Sequence, residues 1–127
     1  MEKKTILIVD DEKNVTDFLV EELRECCSQY YNVITKNSGY EALKVIFQGE
    51  VDLLLTDIAM PDMDGYELYS RAKEYNEDLP IVMMTGFGYD PNHAVVKSRK
   101  AGLKNVVFKP FDMSKLIAIL KKNLGEV

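Results

Sequence analysis

The sequence predicts an α/β fold in which one parallel sheet of five strands carries helices on both faces. Short apolar runs recur along the chain, and each has the composition of a strand that is buried on both sides. After each run, apolar residues recur at helical spacing. We see no linker, repeat or low-complexity stretch, so residues 1–127 are expected to form a single domain with one core.

Charge and hydropathy argue against several classes of function. A net charge of −5 at pH 7 disfavours a nucleic-acid-binding surface. No apolar run approaches the roughly 20 residues that span a bilayer. The first residues, Met1 to Lys4, run directly into a strand-like stretch and lack the features of a signal peptide. We therefore expect a cytoplasmic protein that contacts neither nucleic acid nor membrane through this domain.

The first predicted strand, Thr5–Val9, is a β-branched apolar run that ends on the carboxylates of Asp10 and Asp11. The helix that follows has an apolar stripe at helical spacing, formed by Val15, Phe18, Leu19, Leu23 and Cys26. Because a disulfide between sequence neighbours is strained, Cys26 and Cys27 are expected to be reduced thiols, with Cys26 facing inward.

The second predicted strand, Tyr31–Thr35, is weaker and is expected near an edge of the sheet. Ser38 and Glu41 have the spacing of a capping box, which predicts the start of the second helix. That helix is predicted to be closed by Gly49. Its apolar residues are Ala42, Leu43 and Ile46.

The third predicted strand, residues 51–57, ends on Asp57 and is followed by a turn rich in Pro, Asp and Gly. Asp64 is expected to cap the third helix, because Asp commonly accepts from the first backbone amides of a helix. The residues of this helix that are expected to face inward are Leu68, Ala72 and Tyr75.

The last part of the chain predicts two more strands, each followed by a helix. Ile81–Met84 ends on Thr85, and a helix with a basic outer side is expected from Asp90 to Gly102. Asn105–Phe108 forms the fifth strand and ends on Lys109. Asp112 is expected to cap the last helix, whose apolar residues are Leu116, Ile117, Ile119, Leu120 and Leu124.

Polar side chains follow four of the predicted strands at the point where each strand ends. Asp10 and Asp11 follow the first strand, and Asp57 ends the third. Thr85 follows the fourth strand, and Lys109 the fifth. One such Asp could merely cap a turn. Because the carboxyl ends of parallel strands meet at one edge, the whole set is instead expected to converge on one crevice.

The convergent carboxylates have the donor set of a hard cation. Three carboxylates that lie close together repel one another unless a cation joins them. The ligands on offer are oxygens, and a partly built oxygen site with room for phosphate favours Mg²⁺. The predicted direct ligands are Asp11, Asp57 and the backbone carbonyl of Ala59, with Asp10 acting through a water.

Beside such a cation, the Asp57 carboxylate can act as a nucleophile toward phosphorus and form an aspartyl phosphate. Lys109 would contact one phosphoryl oxygen, and the Thr85 hydroxyl would donate to another. Phosphoryl transfer depends on in-line placement and charge neutralisation more than on proton chemistry. The pattern therefore predicts phosphoryl transfer onto Asp57.

The residues of this crevice, in this order, resemble the receiver domain of bacterial two-component response regulators. The motifs that carry the resemblance are Asp10-Asp11, Asp57 with the run Met60-Pro61-Asp62-Met63-Asp64-Gly65, Thr85-Gly86 and Lys109-Pro110-Phe111. They cover essentially the whole chain. The resemblance implies a flavodoxin-like fold with strand order 2-1-3-4-5 and a cis peptide between Lys109 and Pro110.

The resemblance also implies a signalling switch that catalyses only its own phosphorylation and dephosphorylation. Asp57 would accept a phosphoryl group from the phosphohistidine of a sensor histidine kinase or phosphotransfer domain. Thr85 would be the switch hydroxyl and Lys109 the phosphate contact. Output to a partner protein or domain, or pairing of two copies, would use the fourth predicted helix, the fifth strand and the last helix. Val106 departs from the family, which often has an aromatic residue there.

Two other functions share parts of the pattern. A Mg²⁺-dependent phosphohydrolase would use the same Asp nucleophile but would need a second acid, and Asp62 and Asp64 are placed as turn and cap residues. A flavin-binding module on the same fold would need a phosphate-binding loop after the first strand. The acidic residues Asp10, Asp11 and Glu12 would repel phosphate there.

Overall fold

The computed structural model describes residues 3–86, 93 and 106–125. Within these ranges five strands and four helices follow one another along the chain. The strands are β1 (Lys4–Val9), β2 (Tyr31–Lys36), β3 (Leu53–Asp57), β4 (Ile81–Thr85) and β5 (Val106–Phe108). The helices are α1 (Lys13–Cys27), α2 (Gly39–Phe47), α3 (Gly65–Tyr75) and a final helix (Met113–Leu124). The helix predicted from Asp90 to Gly102 lies, apart from His93, outside the described residues.

The five described strands form one parallel sheet in the order β2-β1-β3-β4-β5. This confirms the predicted α/β class, the flavodoxin-like strand order and the edge position of β2. The register places Val9 beside Thr56, Asp57 beside Met84 and Thr85 beside Phe108. The carboxyl ends of β1, β3, β4 and β5 therefore lie side by side at one edge of the sheet.

Two apolar layers hold the helices against the sheet. On one face, Leu7 and Leu54 belong to a buried cluster with residues of α2 and α3. On the other face, Ile8 and Leu55 belong to a cluster with residues of α1 and the final helix. Neighbouring residues of each strand supply opposite layers, as the two-residue period of a strand requires. This arrangement confirms helices on both faces of a sheet that is buried from both sides.

Side chains cap three helices as the sequence predicts. The Ser38 hydroxyl accepts from the Glu41 amide at 3.4 Å, and the Asp64 carboxylate accepts from the Glu67 amide at 2.8 Å. Asp112 accepts from the Lys115 amide at 3.3 Å. Gly49 follows α2 with a φ of 83°, a backbone conformation that favours glycine. None of the helices in the described ranges is long and apolar enough to cross a bilayer.

Some predicted core positions are wrong. Phe18 is 48% exposed and Tyr75 is 49% exposed, and Cys26 is exposed while Cys27 is buried. Each helical residue advances about 100°, so the neighbour of a buried residue can lie on the flank of the helix. The buried residues of α1 are Thr16, Leu19, Leu23 and Cys27. The structure also joins Cys26 and Cys27 by a disulfide, contrary to the expected reduced thiols.

Candidate functional site

Ends of neighbouring strands bring together an acidic pocket that contains a lysine. Asp10 directly follows β1, Asp57 is the last residue of β3, and Lys109 directly follows β5. Asp10 is 0% exposed and Asp57 is 5% exposed, whereas Asp11 faces solvent. Carboxylate oxygens of Asp10, Asp11 and Asp57 all lie within 4.8 Å of one another. The three predicted carboxylates therefore do converge.

Lys109 reaches into this pocket. Its Nζ donates to Oδ2 of Asp10 at 2.7 Å and lies 3.6 Å from Oδ2 of Asp57. Its backbone amide donates to the carbonyl of Thr85 at 2.9 Å, and the peptide between Lys109 and Pro110 is cis, as the resemblance implies. The ammonium group is thus hydrogen-bonded to Asp10 and lies close to Asp57.

The backbone around Asp57 is held closely. Oδ1 of Asp57 accepts from the Ile58 amide at 2.9 Å, while Oδ2 faces Lys109. The Gly65 amide donates to the Ile58 carbonyl at 2.7 Å. A Cβ on Gly65 would collide with the Asp57 carbonyl oxygen and would lie 2.8 Å from the Ile58 Cα. Glycine at position 65 therefore lets the first turn of α3 lie directly against the end of β3.

The pocket has an excess of negative charge. Burial raises the pKa of Asp57, and the nearby charge of Asp10 raises it further, although Lys109 and the Ile58 amide partly offset both effects. Burial, followed by the charge of Asp10, also raises the pKa of Asp11. Burial by itself would lower the pKa of Lys109, but its hydrogen bond to Asp10 and the nearby carboxylates raise it. A further cation would relieve this repulsion.

A cleft of about 280 Å³ opens at this point, lined by Asp11, Glu12, Asp57, Ala59, Gly86 and Lys109. Oxygen atoms, such as the carboxylate oxygens of Asp11 and Asp57, are the donors that Mg²⁺ prefers. Asp10 lies behind the cleft, where its Oδ1 accepts from the Glu12 amide at 2.9 Å. Thr85 is buried at the end of β4, and its neighbour Gly86 lines the cleft. The donors present fit a magnesium ion.

Three hydrogen bonds near the site were not predicted. The Asn37 side chain donates to the Asp10 carbonyl at 2.8 Å and to the Thr16 hydroxyl at 3.2 Å. The Asp62 carboxylate accepts from the Ser38 hydroxyl at 2.8 Å. The two bonds to Asp10 and Asp62 join residues that are 27 and 24 positions apart, so no local sequence pattern could have revealed them.

A family model and two curated relatives match nearly the whole chain. The model of the family described as "Response regulator receiver domain" matches residues 6–121. The response regulator receiver protein CpdR of Brucella abortus is 35% identical, over 95% of this chain and 97% of that protein. The transcriptional regulatory protein ZraR of Klebsiella oxytoca is 33% identical over 98% of this chain.

Other relatives are much longer than this chain. The match covers 27% of ZraR and 23% of a probable cyclic di-GMP phosphodiesterase of Vibrio cholerae, which is 35% identical over 84% of this chain. The chain therefore spans about a quarter of the length of these two relatives. It spans nearly all of CpdR.

Solved structures share the fold. The response regulator protein TrrA of Thermotoga maritima, in complex with Mg(2+)-BeF, is 33% identical with a TM-score of 0.82, over 95% of this chain and 99% of that one. A CheY-like response regulator receiver domain protein of Methanospirillum hungatei is 29% identical with a TM-score of 0.84. That second match covers 97% of this chain and 94% of the other. Both likenesses extend over nearly the whole chain.

Proposed function

The chain belongs to the response regulator receiver domain family, and we propose that it is a signalling switch whose Asp57 accepts a phosphoryl group. The observation that carries this proposal is the placement of Asp57, which lines the cleft and whose carboxylate lies close to those of Asp10 and Asp11 and to the ammonium group of Lys109. The phosphodonor is the phosphohistidine of a sensor histidine kinase or a phosphotransfer domain. We propose that the protein acts in the cytoplasm.

The transfer step is a displacement at phosphorus. Oδ2 of Asp57 attacks the phosphorus atom, a P–O bond forms, and the P–N bond to the donor imidazole breaks, leaving its electron pair on nitrogen. Charge then spreads over the equatorial phosphoryl oxygens. Lys109 is suited to meet that charge, because its Nζ is already 3.6 Å from Oδ2 of Asp57. The Thr85 hydroxyl is the proposed donor to another phosphoryl oxygen.

Magnesium is the cofactor that this donor set favours. Asp11, Asp57 and the Ala59 carbonyl would hold it directly, and Asp10 would hold it through a water. The ion, when bound, supplies positive charge to a pocket in which three carboxylates face one ammonium. The Mg(2+)-BeF complex of TrrA supports this assignment for a protein of similar fold.

The signal would leave through the strands that carry Thr85 and Lys109. The Lys109 amide is bonded to the Thr85 carbonyl at 2.9 Å, so a shift at one strand end is passed directly to the other. Val106 is partly buried beside the core, while Phe108 is 57% exposed on the same strand. We propose that β5, the final helix and the segment between β4 and β5 contact an output protein or domain, or a second copy of the chain.

The test uses a small phosphodonor, acetyl phosphate, with Mg²⁺. The wild-type protein should gain one phosphate in its intact mass, and Asp57→Asn should gain none. Beryllofluoride with Mg²⁺ should change the tyrosine fluorescence of the wild type only. Repeated hydrolysis of a phosphomonoester without a stable phosphoprotein would instead favour a phosphohydrolase.

A further inference from the structure

Hydrogen bonds to Asp62 connect the loop after Asp57 to the start of α2. Oδ2 of Asp62 accepts from the Ser38 hydroxyl at 2.8 Å and from the Tyr40 amide at 3.2 Å. The Ser38 hydroxyl accepts in turn from the Glu41 amide. A carboxylate thus lies at the positive end of a helix dipole, where negative charge is stabilised. We call this set of bonds the Asp62 clasp.

Apolar contacts hold the same loop against α2. Met60 is 7% exposed and Met63 is 2% exposed, and both belong to the core cluster that includes α2. A Cβ on Gly39, the first residue of α2, would lie 2.8 Å from the Cβ of Met63. The polar clasp and Met63 therefore both hold the loop against the first turn of α2.

The other end of the loop is held at β3. The Ile58 amide donates to Asp57, and the Ile58 carbonyl accepts from Gly65. Ala59 lies between this anchor and Asp62, and it lines the cleft. The position of the Ala59 carbonyl therefore depends on where both anchors hold the backbone.

The clasp is charge-assisted. Slight burial opposes ionisation of Asp62, but the hydrogen bonds from the Ser38 hydroxyl and from the Tyr40 and Gly39 amides outweigh it and lower the pKa of Asp62. Hydrogen bonds to an ionised acceptor are stronger than bonds between neutral groups. Asp64, two residues later, serves instead as the cap of α3.

We propose that Asp62 is a positioning residue for the magnesium site, and that the Asp62 clasp holds the Ala59 carbonyl in the place that the cation requires. The inference rests on the proposed function, because it takes the Ala59 carbonyl to be a ligand. It gives Asp62 a role beyond that of a turn residue. It also makes the first turn of α2 part of the machinery that orders the site.

The test is the affinity of the unphosphorylated protein for Mg²⁺, measured by isothermal titration calorimetry. Asp62→Ala should weaken binding about 10-fold, the lower end of the loss seen when residues that orient metal ligands are removed. Ser38→Ala keeps every charge but removes a clasp donor, and it should also weaken binding. Asp62→Asn keeps an acceptor oxygen and should recover most of the affinity. The double variant S38A/D62A should bind no more weakly than D62A, because Ser38 acts on the loop through its hydrogen bond to Asp62.

A matched control separates position from charge. Asp64→Asn removes one carboxylate from the same loop but keeps a side chain that caps helices well. Its Mg²⁺ affinity should stay close to that of the wild type. Thermal unfolding of each variant shows that it is folded, and hydrogen exchange at the Tyr40 amide without Mg²⁺ should accelerate in D62A.

Three results would overturn the proposal. Wild-type affinity in D62A would do so, and so would equal weakening in D62A and D64N, which would assign the effect to lost charge. Additive losses in S38A/D62A would show that the two residues act separately. These results leave the proposed function intact, because phosphorylation at Asp57 is measured independently. A wild-type protein that binds no Mg²⁺ would overturn both this inference and the proposed metal site.

Discussion

Asp57 and Asp62 lie five positions apart, yet their surroundings shift the pKa values of the two carboxylates in opposite directions. Asp57 is buried beside other carboxylates, and its pKa is raised by burial and then by the charge of Asp10. Burial of Asp62 is outweighed by the hydrogen bonds of Ser38 and the start of α2, which lower its pKa. The negative charge of the acidic pocket is therefore only partly balanced by Lys109, whereas the negative charge of Asp62 is stabilised by several hydrogen-bond donors.

This difference separates reactivity from positioning. In the acidic pocket three carboxylates share the positive charge of Lys109, so a cation would relieve their repulsion. A phosphoryl group on Asp57 would bring oxygens that Lys109 can contact. A carboxylate with several donors gains nothing from a new ligand and instead fixes the backbone that carries it. Changes to the positive charge of the pocket, to its negative charge and to the donors of the clasp should therefore have different effects.

The largest effect is expected at Lys109. Lys109→Ala should slow phosphorylation by acetyl phosphate about 100-fold, a loss typical of removing one group that stabilises transition-state charge. Stopped-flow or quench-flow kinetics at saturating Mg²⁺ measure this rate. Lys109→Arg is the matched control, because it keeps the charge and should retain part of the rate. A wild-type rate in Lys109→Ala would remove this residue from the mechanism.

Magnesium should stabilise the folded protein by about 2.7 kcal/mol at a concentration 100 times its Kd, because it binds only the folded pocket. Urea unfolding with and without Mg²⁺ measures the free energy of unfolding. In Asp57→Asn the stabilisation should be smaller, since one ligand charge is gone. Equal stabilisation in both proteins would place the ion elsewhere.

Without Mg²⁺, Asp57→Asn should raise the free energy of unfolding by about 1 kcal/mol at pH 7, within the range of single stabilising changes. The raised pKa of Asp57 means that its stabilising contribution is present below the unfolded value of 3.8 and is lost as pH rises through the folded pKa. The advantage of Asn should therefore vanish as the pH falls toward 3.8. Urea unfolding from about pH 3.5 to about 7 measures this difference, and a difference that did not change with pH would show that burial of the Asp57 charge and its repulsion by Asp10 are not the cause.

The smallest effect is expected at the clasp, and its pH dependence has the opposite sign. Asp62→Asn should lower the free energy of unfolding by less than about 1 kcal/mol at pH 7, because the bonds are exposed. The lowered pKa of Asp62 gives stability that is present above 3.8 and is lost as pH falls through the folded pKa. A difference between Asp62→Asn and the wild type that grew on acidification would contradict the charge-assisted bonds.

The parallel sheet and the convergence of Asp10, Asp11, Asp57 and Lys109 were predictable from the pattern of residues, whereas the strand order followed only from the resemblance to receiver domains. Apolar runs that alternate with amphipathic helices leave few parallel topologies, and all strand ends of such a sheet lie at one edge. The three Asp and Ser caps were predictable for a similar reason, since a cap and its amide are only three residues apart. The spacing of residues along the chain therefore predicts both where the strand ends meet and which side chains cap the helices.

The remaining features depend on contacts that spacing does not encode. Phe18 and Cys26 lie beside buried positions of α1, and rotation of the helix by one residue decides which neighbour faces the core. The Nζ atom of Lys109 lies 2.7 Å from Oδ2 of Asp10 but 3.6 Å from Oδ2 of Asp57, and the spacing of residues in the sequence does not reveal which carboxylate is nearer. The partner of Asp62 is 24 residues away and becomes visible only once α2 packs against the loop.

Locating the phosphate tests most directly whether Asp57 accepts the phosphoryl group. After reaction with acetyl phosphate and Mg²⁺, borohydride reduction converts an aspartyl phosphate to homoserine, which peptide mass spectrometry can place in the sequence. We predict homoserine at position 57 in the wild type and none in Asp57→Asn or without Mg²⁺. Labelling at another residue would contradict the assignment of Asp57 as the phosphoacceptor, and equal labelling without Mg²⁺ would contradict the role of the cation.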